Sequence, residues 1–157
     1  MTHVLEDPEL AHAILDRARE AARAGGLSYG GGVAPADAWA LASAGEALLI
    51  DVRTAEERKF VGQVPDSLHV AWANGTALTR NPRFVRELEA RAGGKEAVIL
   101  LLCRSGNRSA QAADAAAKAG FTQVFNVLEG FEGDLDDARR RGGHNGWRFH
   151  GLPWIQD

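Results

Sequence analysis

The chain has 157 residues, 45% hydrophobic and 25% charged, and carries a formal net charge of −3 at pH 7. That size and balance predict one soluble globular domain burying roughly 70% of its unfolded surface, with no cofactor or disulfide needed for stability. A single cysteine excludes an intramolecular disulfide and fits a reducing cytoplasm, and the small net charge offers no strong field for nucleic acid.

The opening stretch MTHVLEDPELAHAILDRARE has acids early and no unbroken apolar run, so it reads as neither a secretory signal nor a membrane span. It predicts a helix instead, capped by Asp7 with Pro8 at the first helical position and Leu10, Ile14, Ala18 and Ala21 on one face. The glycine-rich GGLSYGGGVAP (25 to 35) reads as a connector, dividing the chain into an N-terminal helical extension (1–33) and a main domain (34–157). A phosphate loop is rejected there, because no strand precedes it and no Lys-Ser/Thr follows.

From Pro35 onwards helical and apolar segments alternate. A helix PADAWALASAG stopped by Gly45 leads to the strand ALLIDV, a short helix TAEERKF and a strand SLHVAW. Asn81-Pro82 then starts a helix with Phe84, Val85 and Leu88 inward, AVILLL (97 to 102) is a wholly apolar strand, SGNRSAQAADAAAKAG is a helix ended by Gly120, and TQVFNV is a further strand. The alternation predicts an α/β domain with a central, mostly parallel sheet and helices on both faces. Ligands bind such sheets at the carboxyl ends of the strands.

Cys103 occupies such a strand end, directly before a helix. A lone cysteine is more often a core residue than a nucleophile, so its neighbours have to carry the case. A tight strand-to-helix loop aims backbone N–H groups and the positive end of the helix dipole at one point, and Arg104 and Arg108 add two fixed charges. Both favour the thiolate and create a cradle for an incoming anion. Ser105 and Ser109 either supply hydroxyl donors or cap the helix, and Gly106 allows backbone conformations closed to other residues.

CRSGNR resembles the active-site loop of the rhodanese family of sulfurtransferases. DVRTAEE (51 to 57) is similar to the family's strand-end motif, VGQVPDSLHV (61 to 70) to its Gly-His-Ile-Pro-Gly-Ala stretch, and NVLEGFEGDLDDARRRGGHNGWRFHGLPW to its closing glycine-rich turn, helix and Gly-Leu-Pro ending. The match runs from about residue 34 to 154 and leaves residues 1 to 33 unexplained. Gln63 stands where the family has His, which removes any relay through that histidine, and Asp66 replaces a glycine, which changes a turn.

The resemblance implies sulfur transfer. The Cys103 thiolate takes the outer sulfur of a small anionic donor such as thiosulfate and passes it from a persulfide to an external thiol, a thioredoxin-like protein or cyanide. Backbone N–H groups from Arg104 through Ser105, Gly106 and Asn107 to Ser109 stabilise the persulfide charge, and Arg108, with Arg104, holds the sulfonate end. A cysteine phosphatase has one more residue between Cys and Arg than the four found here, and the loop offers no general acid, so phosphatase or arsenate reductase chemistry ranks lower. A low-turnover sulfur-carrier or regulatory module is the main alternative.

Asp51 either pairs with a loop arginine at the mouth of the site or makes a local bond with Arg53. Arg58 either attracts an anion or is a solvated charge. The five histidines (His3, His12, His69, His144, His150) show no metal-ligand pairing, and Asp134, Asp136 and Asp137 fail as a calcium loop because Arg139 stands where glycine is needed, so no metal is expected. Trp147, Phe149 and Trp154 read as a core-covering tail rather than a nucleic-acid stacking surface.

Overall fold

The computed structural model describes residues 8–156, so the expected cap at Asp7 and His3 lie outside the described residues. In chain order the elements are α1 (Pro8–Gly25), β1 (Gly31–Val33), α2 (Pro35–Ser43), β2 (Leu48–Asp51), α3 (Ala55–Phe60), β3 (Leu68–His69), β4 (Ala73–Asn74), β5 (Thr79–Arg80), α4 (Phe84–Ala92), β6 (Ile99–Leu102), α5 (Asn107–Lys118) and β7 (Val124–Val127). Five strands form a parallel sheet in the order β1-β7-β6-β2-β3, and β4 and β5 make a small antiparallel hairpin.

Strand alternation splits the core into two layers. On one face Leu100, Leu102, Phe125 and Val127 pack with α1 and α2 residues such as Leu15 and Leu41. On the other, Ile99, Leu101 and Cys103 pack with Phe84 and Leu88 of α4 and with the alanines of α5. Burial on both sides is why β6 reads as an unbroken apolar run.

The end of the glycine-rich connector turns out to be sheet. Gly31 to Val33 pair in parallel register with Phe125 to Val127, and α1 lies directly over them. A Cβ on Gly31 would stand 2.3 Å from the Ala18 carbonyl oxygen, and one on Gly30 would stand 2.8 Å from the Phe125 ring, so the missing side chains set how closely helix and strand approach. The helix buries Ala11, Leu15, Ala18 and Ala22, whereas Leu10 is 48% exposed and Ala21 is exposed. The expected face is therefore rotated, because the close approach at Gly31 puts Ala18 over the strand and turns Ala11, Leu15 and Ala22 inward with it.

Two further expectations are corrected. The strand at 67 to 72 shortens to Leu68–His69, after which the chain continues along β2 through Val70 N–H to Asp51 O (3.0 Å) and Trp72 N–H to Val52 O (2.9 Å). The closing helix does not form. The Asp136 carboxylate accepts from the Ala138 and Arg140 N–H groups at 2.9 Å each, which offers the backbone a local turn in place of a helical ladder. Trp147 is fully buried, edge-on to Trp39 at 6.1 Å with its indole N–H on the Pro153 carbonyl (2.8 Å), so it covers the core as expected, whereas Phe149 and Trp154 of the same tail are exposed.

Candidate active site

β6 is the central strand, and its carboxyl end delivers Cys103 into a loop that turns into α5 at Gly106. That glycine has φ 101°, a left-handed conformation unfavourable for any residue with a side chain. The loop is stitched to the following turn: Phe131 N–H donates to Cys103 O (2.8 Å), and Glu132 and Gly133 N–H donate to Arg104 O (3.0 and 3.2 Å). Gly130 makes this contact possible, with Arg104 C and O and Ser105 N all 2.4 Å from where its Cβ would be.

Cys103 is 1% exposed. Its Sγ receives the Gly106 N–H at 3.1 Å and lies 3.2 Å from the Ser109 hydroxyl. Ser109, fully buried, also donates to Asn126 Oδ1, while Asn126 Nδ2 donates to Gly106 O at 3.2 Å. The loop thus rests on one buried amide from the neighbouring strand β7. Sequence reasoning missed Asn126, although a single polar residue in the apolar run VFNV was its signal.

Arg108 makes a two-pronged ion pair with Glu57, Nη1 to Oε1 at 2.7 Å and Nη2 to Oε2 at 2.8 Å, with both side chains under one-fifth exposed. Glu57 belongs to the capping box of α3, exchanging bonds with Thr54, and the spacing Thr-x-x-Glu was the overlooked signal for it. Burial alone pushes the Glu57 carboxyl up, but the hydrogen bonds and charge of Arg108, with the Thr54 N–H and the charge of Arg53, outweigh it and hold it below its ordinary value. The Arg108 guanidinium is raised by its hydrogen bonds to Glu57, against an opposing effect of burial, and further by the charges of Glu57, Cys103 and Asp51.

Of the remaining sequence candidates, Arg104 is exposed on the loop, Asn107 is exposed at the first position of α5, and Ser105 is half-buried. Asp51 and Arg58 are not brought to the loop. Asp51 is fully buried and holds Arg53 through Nε (3.1 Å) and Nη2 (2.8 Å), and Arg58 binds Asp51 Oδ2 and Ser67 Oγ, both at 3.1 Å, and Gln63 Oε1. Gln63 in turn pairs through its backbone with Ile155, and Asp66 takes φ 65° in its turn. Beside the loop lies a cleft of about 370 Å³ where Arg104 and Arg108 face Glu56, Glu57 and Glu132 under Leu78 of the β4–β5 turn.

Residues 34–136 match the family model of the rhodanese-like domain. The chain belongs to the rhodanese-like family. In the crystal structure of Rv0390 from M. tuberculosis, 43% identical residues cover 80% of this chain and 97% of that one with a TM-score of 0.70. The uncharacterized protein RP600 of Rickettsia prowazekii is 36% identical over 69% of this chain and 82% of its own. Thiosulfate sulfurtransferase 16, chloroplastic, of Arabidopsis thaliana is 29% identical over 66% of this chain and 76% of its own. The rhodanese-like match begins at residue 34, whereas the sheet of this domain begins at Gly31. Among the described residues no helix is long and apolar enough to cross a membrane, and no group of three or more His, Cys, Asp or Glu is placed to hold a metal ion.

Proposed function

We propose that this rhodanese-like domain is a sulfurtransferase with Cys103 as its nucleophile. The observation that carries the reading is the placement of Sγ at the end of the central strand, at the head of α5, with the Gly106 N–H on it and the Ser109 hydroxyl in reach. The Cys103 thiolate attacks the outer sulfur of thiosulfate or a similar donor, and the donor S–S bond breaks with its electron pair leaving on sulfite. The resulting persulfide is attacked at its outer sulfur by an external thiolate or cyanide, which carries that sulfur away and restores the Cys103 thiolate. Because the chain has one cysteine, the acceptor thiol comes from outside. Ser105, Gly106 and Asn107 offer their N–H groups to the transferred sulfur, and the exposed Arg104 meets the anionic end of the donor.

Intact mass after incubation with thiosulfate tests this. One added sulfur, absent from Cys103→Ser, with thiocyanate formed on adding cyanide, is expected; no adduct overturns the reading. The burial of Sγ and the engagement of Arg108 by Glu57 favour the second reading, a slow sulfur carrier, for which the adduct forms but cyanide releases it slowly.

Glu57→Gln separates the two. Glutamine keeps the capping box but leaves Arg108 without a counter-charge, so sulfur uptake from thiosulfate should rise by about tenfold while stability falls by about 1–3 kcal/mol. A carboxyl held below its ordinary 4.5 contributes stability that is fully present above that value and is lost as the pH falls from there through its lower folded value. Denaturation midpoints measured across this range should show an acid-side decline in the parent that is flatter in Glu57→Gln.

A further inference from the structure

Ser109 Oγ stands within hydrogen-bond reach of two acceptors, Cys103 Sγ at 3.2 Å and Asn126 Oδ1, yet a hydroxyl has one proton. The Asn126 amide is oriented by its other end, since Nδ2 donates to the Gly106 carbonyl. With Cys103 protonated, every group is satisfied: the thiol S–H donates to Ser109 Oγ and Ser109 donates to Asn126. When the thiol proton leaves for solvent, the Ser109 proton can serve the sulfur only by abandoning Asn126. Turning the amide over supplies a proton to Ser109 but sets Oδ1 against Gly106 O. Either way one buried hydrogen bond is lost.

We propose that Asn126 is a positioning residue that holds the Ser109 proton away from Cys103, so that the hydroxyl turns to sulfur only when the buried amide yields it. The assignment concerns the nucleophile of the proposed sulfur transfer and rests on that reading. The charged groups on the elements packed about the loop are already engaged with one another: Arg108 of α5 with Glu57 of α3, Asp51 of β2 with Arg53 and Arg58, and Glu132 of the following turn with Arg148, while Arg104 lies on the loop itself; of these, Arg108 interacts with the charges of both Cys103 and Asp51. None of them is hydrogen-bonded to the Ser109 hydroxyl, and Asn126 reaches the sulfur by two routes, through Ser109 and through Gly106, which the Ser109→Ala background separates.

The test is the pH titration of thiolate absorbance in the ultraviolet, with Cys103→Ser as the blank. It reads the thiolate itself, so a chain that transfers no sulfur still gives an answer. Asn126→Ala frees the hydroxyl for the sulfur and should move the midpoint down by about one pH unit, the size of one buried hydrogen bond. Asn126→Asp is a stronger acceptor for the Ser109 proton and should move it up. In a Ser109→Ala background the Asn126→Ala shift should disappear. Shifts of the same sign in both Asn126 variants, or an Ala shift that persists without the Ser109 hydroxyl, overturn the proposal. If Asn126→Asp does not fold, the Ala pair with and without Ser109→Ala decides.

Discussion

Replacing Gly130 by alanine should displace the Cys103 loop and cost about 2–5 kcal/mol, combining left-handed strain with overpacking. Gly130 has φ 71°, and the new Cβ meets the Arg104 and Ser105 backbone at 2.4 Å, where no flexible side chain can give way. Gly45→Ala is the control: φ is 77° but nothing lies within 4 Å of its Cβ position, so only the conformational cost of about 1–2 kcal/mol applies. Denaturant midpoints read the stability difference. Sulfur uptake should be lost in Gly130→Ala and kept in Gly45→Ala; equal behaviour of the two variants would mean that the loop does not rest on Gly130.

The second large effect is expected at Arg53, whose side chain is fully buried against the equally buried Asp51. It also donates to Gly62 O at 2.6 Å and stacks on Phe131, 4.3 Å from the ring centroid. Arg53→Met leaves the Asp51 carboxylate with Arg58 and one backbone N–H, and should cost about 3–5 kcal/mol, the usual penalty for removing one partner of a buried pair. That is a large share of a typical domain stability of about 5–15 kcal/mol. Asp51→Asn in the same chain should recover part of the loss, because the stranded charge is gone. A double-mutant cycle from urea unfolding measures it, and strict additivity would count against the pairing.

The parts of the fold set by periodicity were legible in the sequence: two-sided burial produced the run at 97–102, and Gly45 and Gly120 stand just past the ends of α2 and α5. Cys103 was singled out because a strand end followed by CRSGNR is a local pattern. What escaped depends on distance along the chain. Arg108 was read as an anion ligand, yet its partner Glu57 lies 51 residues away, and neither motif alone shows that the two meet. For Asp51 the sequence left a loop arginine and a local bond with Arg53 both open, and the structure has the local bond; Arg58, read as an anion site or a solvated charge, is neither, because it binds Asp51 and Ser67. The glycines of 30–32 looked like a linker because a strand of three residues has no period to detect; their meaning comes from a helix laid on top of them.

The bonds from residues 131–133 to the Cys103 and Arg104 carbonyls have a consequence for binding. A loop held in this way has already given up its conformational entropy when the chain folds, so an arriving donor has little left to order. On the proposed sulfur-transfer reading, selectivity at this mouth resides in the charges of Arg104 and the surrounding glutamates, and a partner brings its own flexibility to meet them.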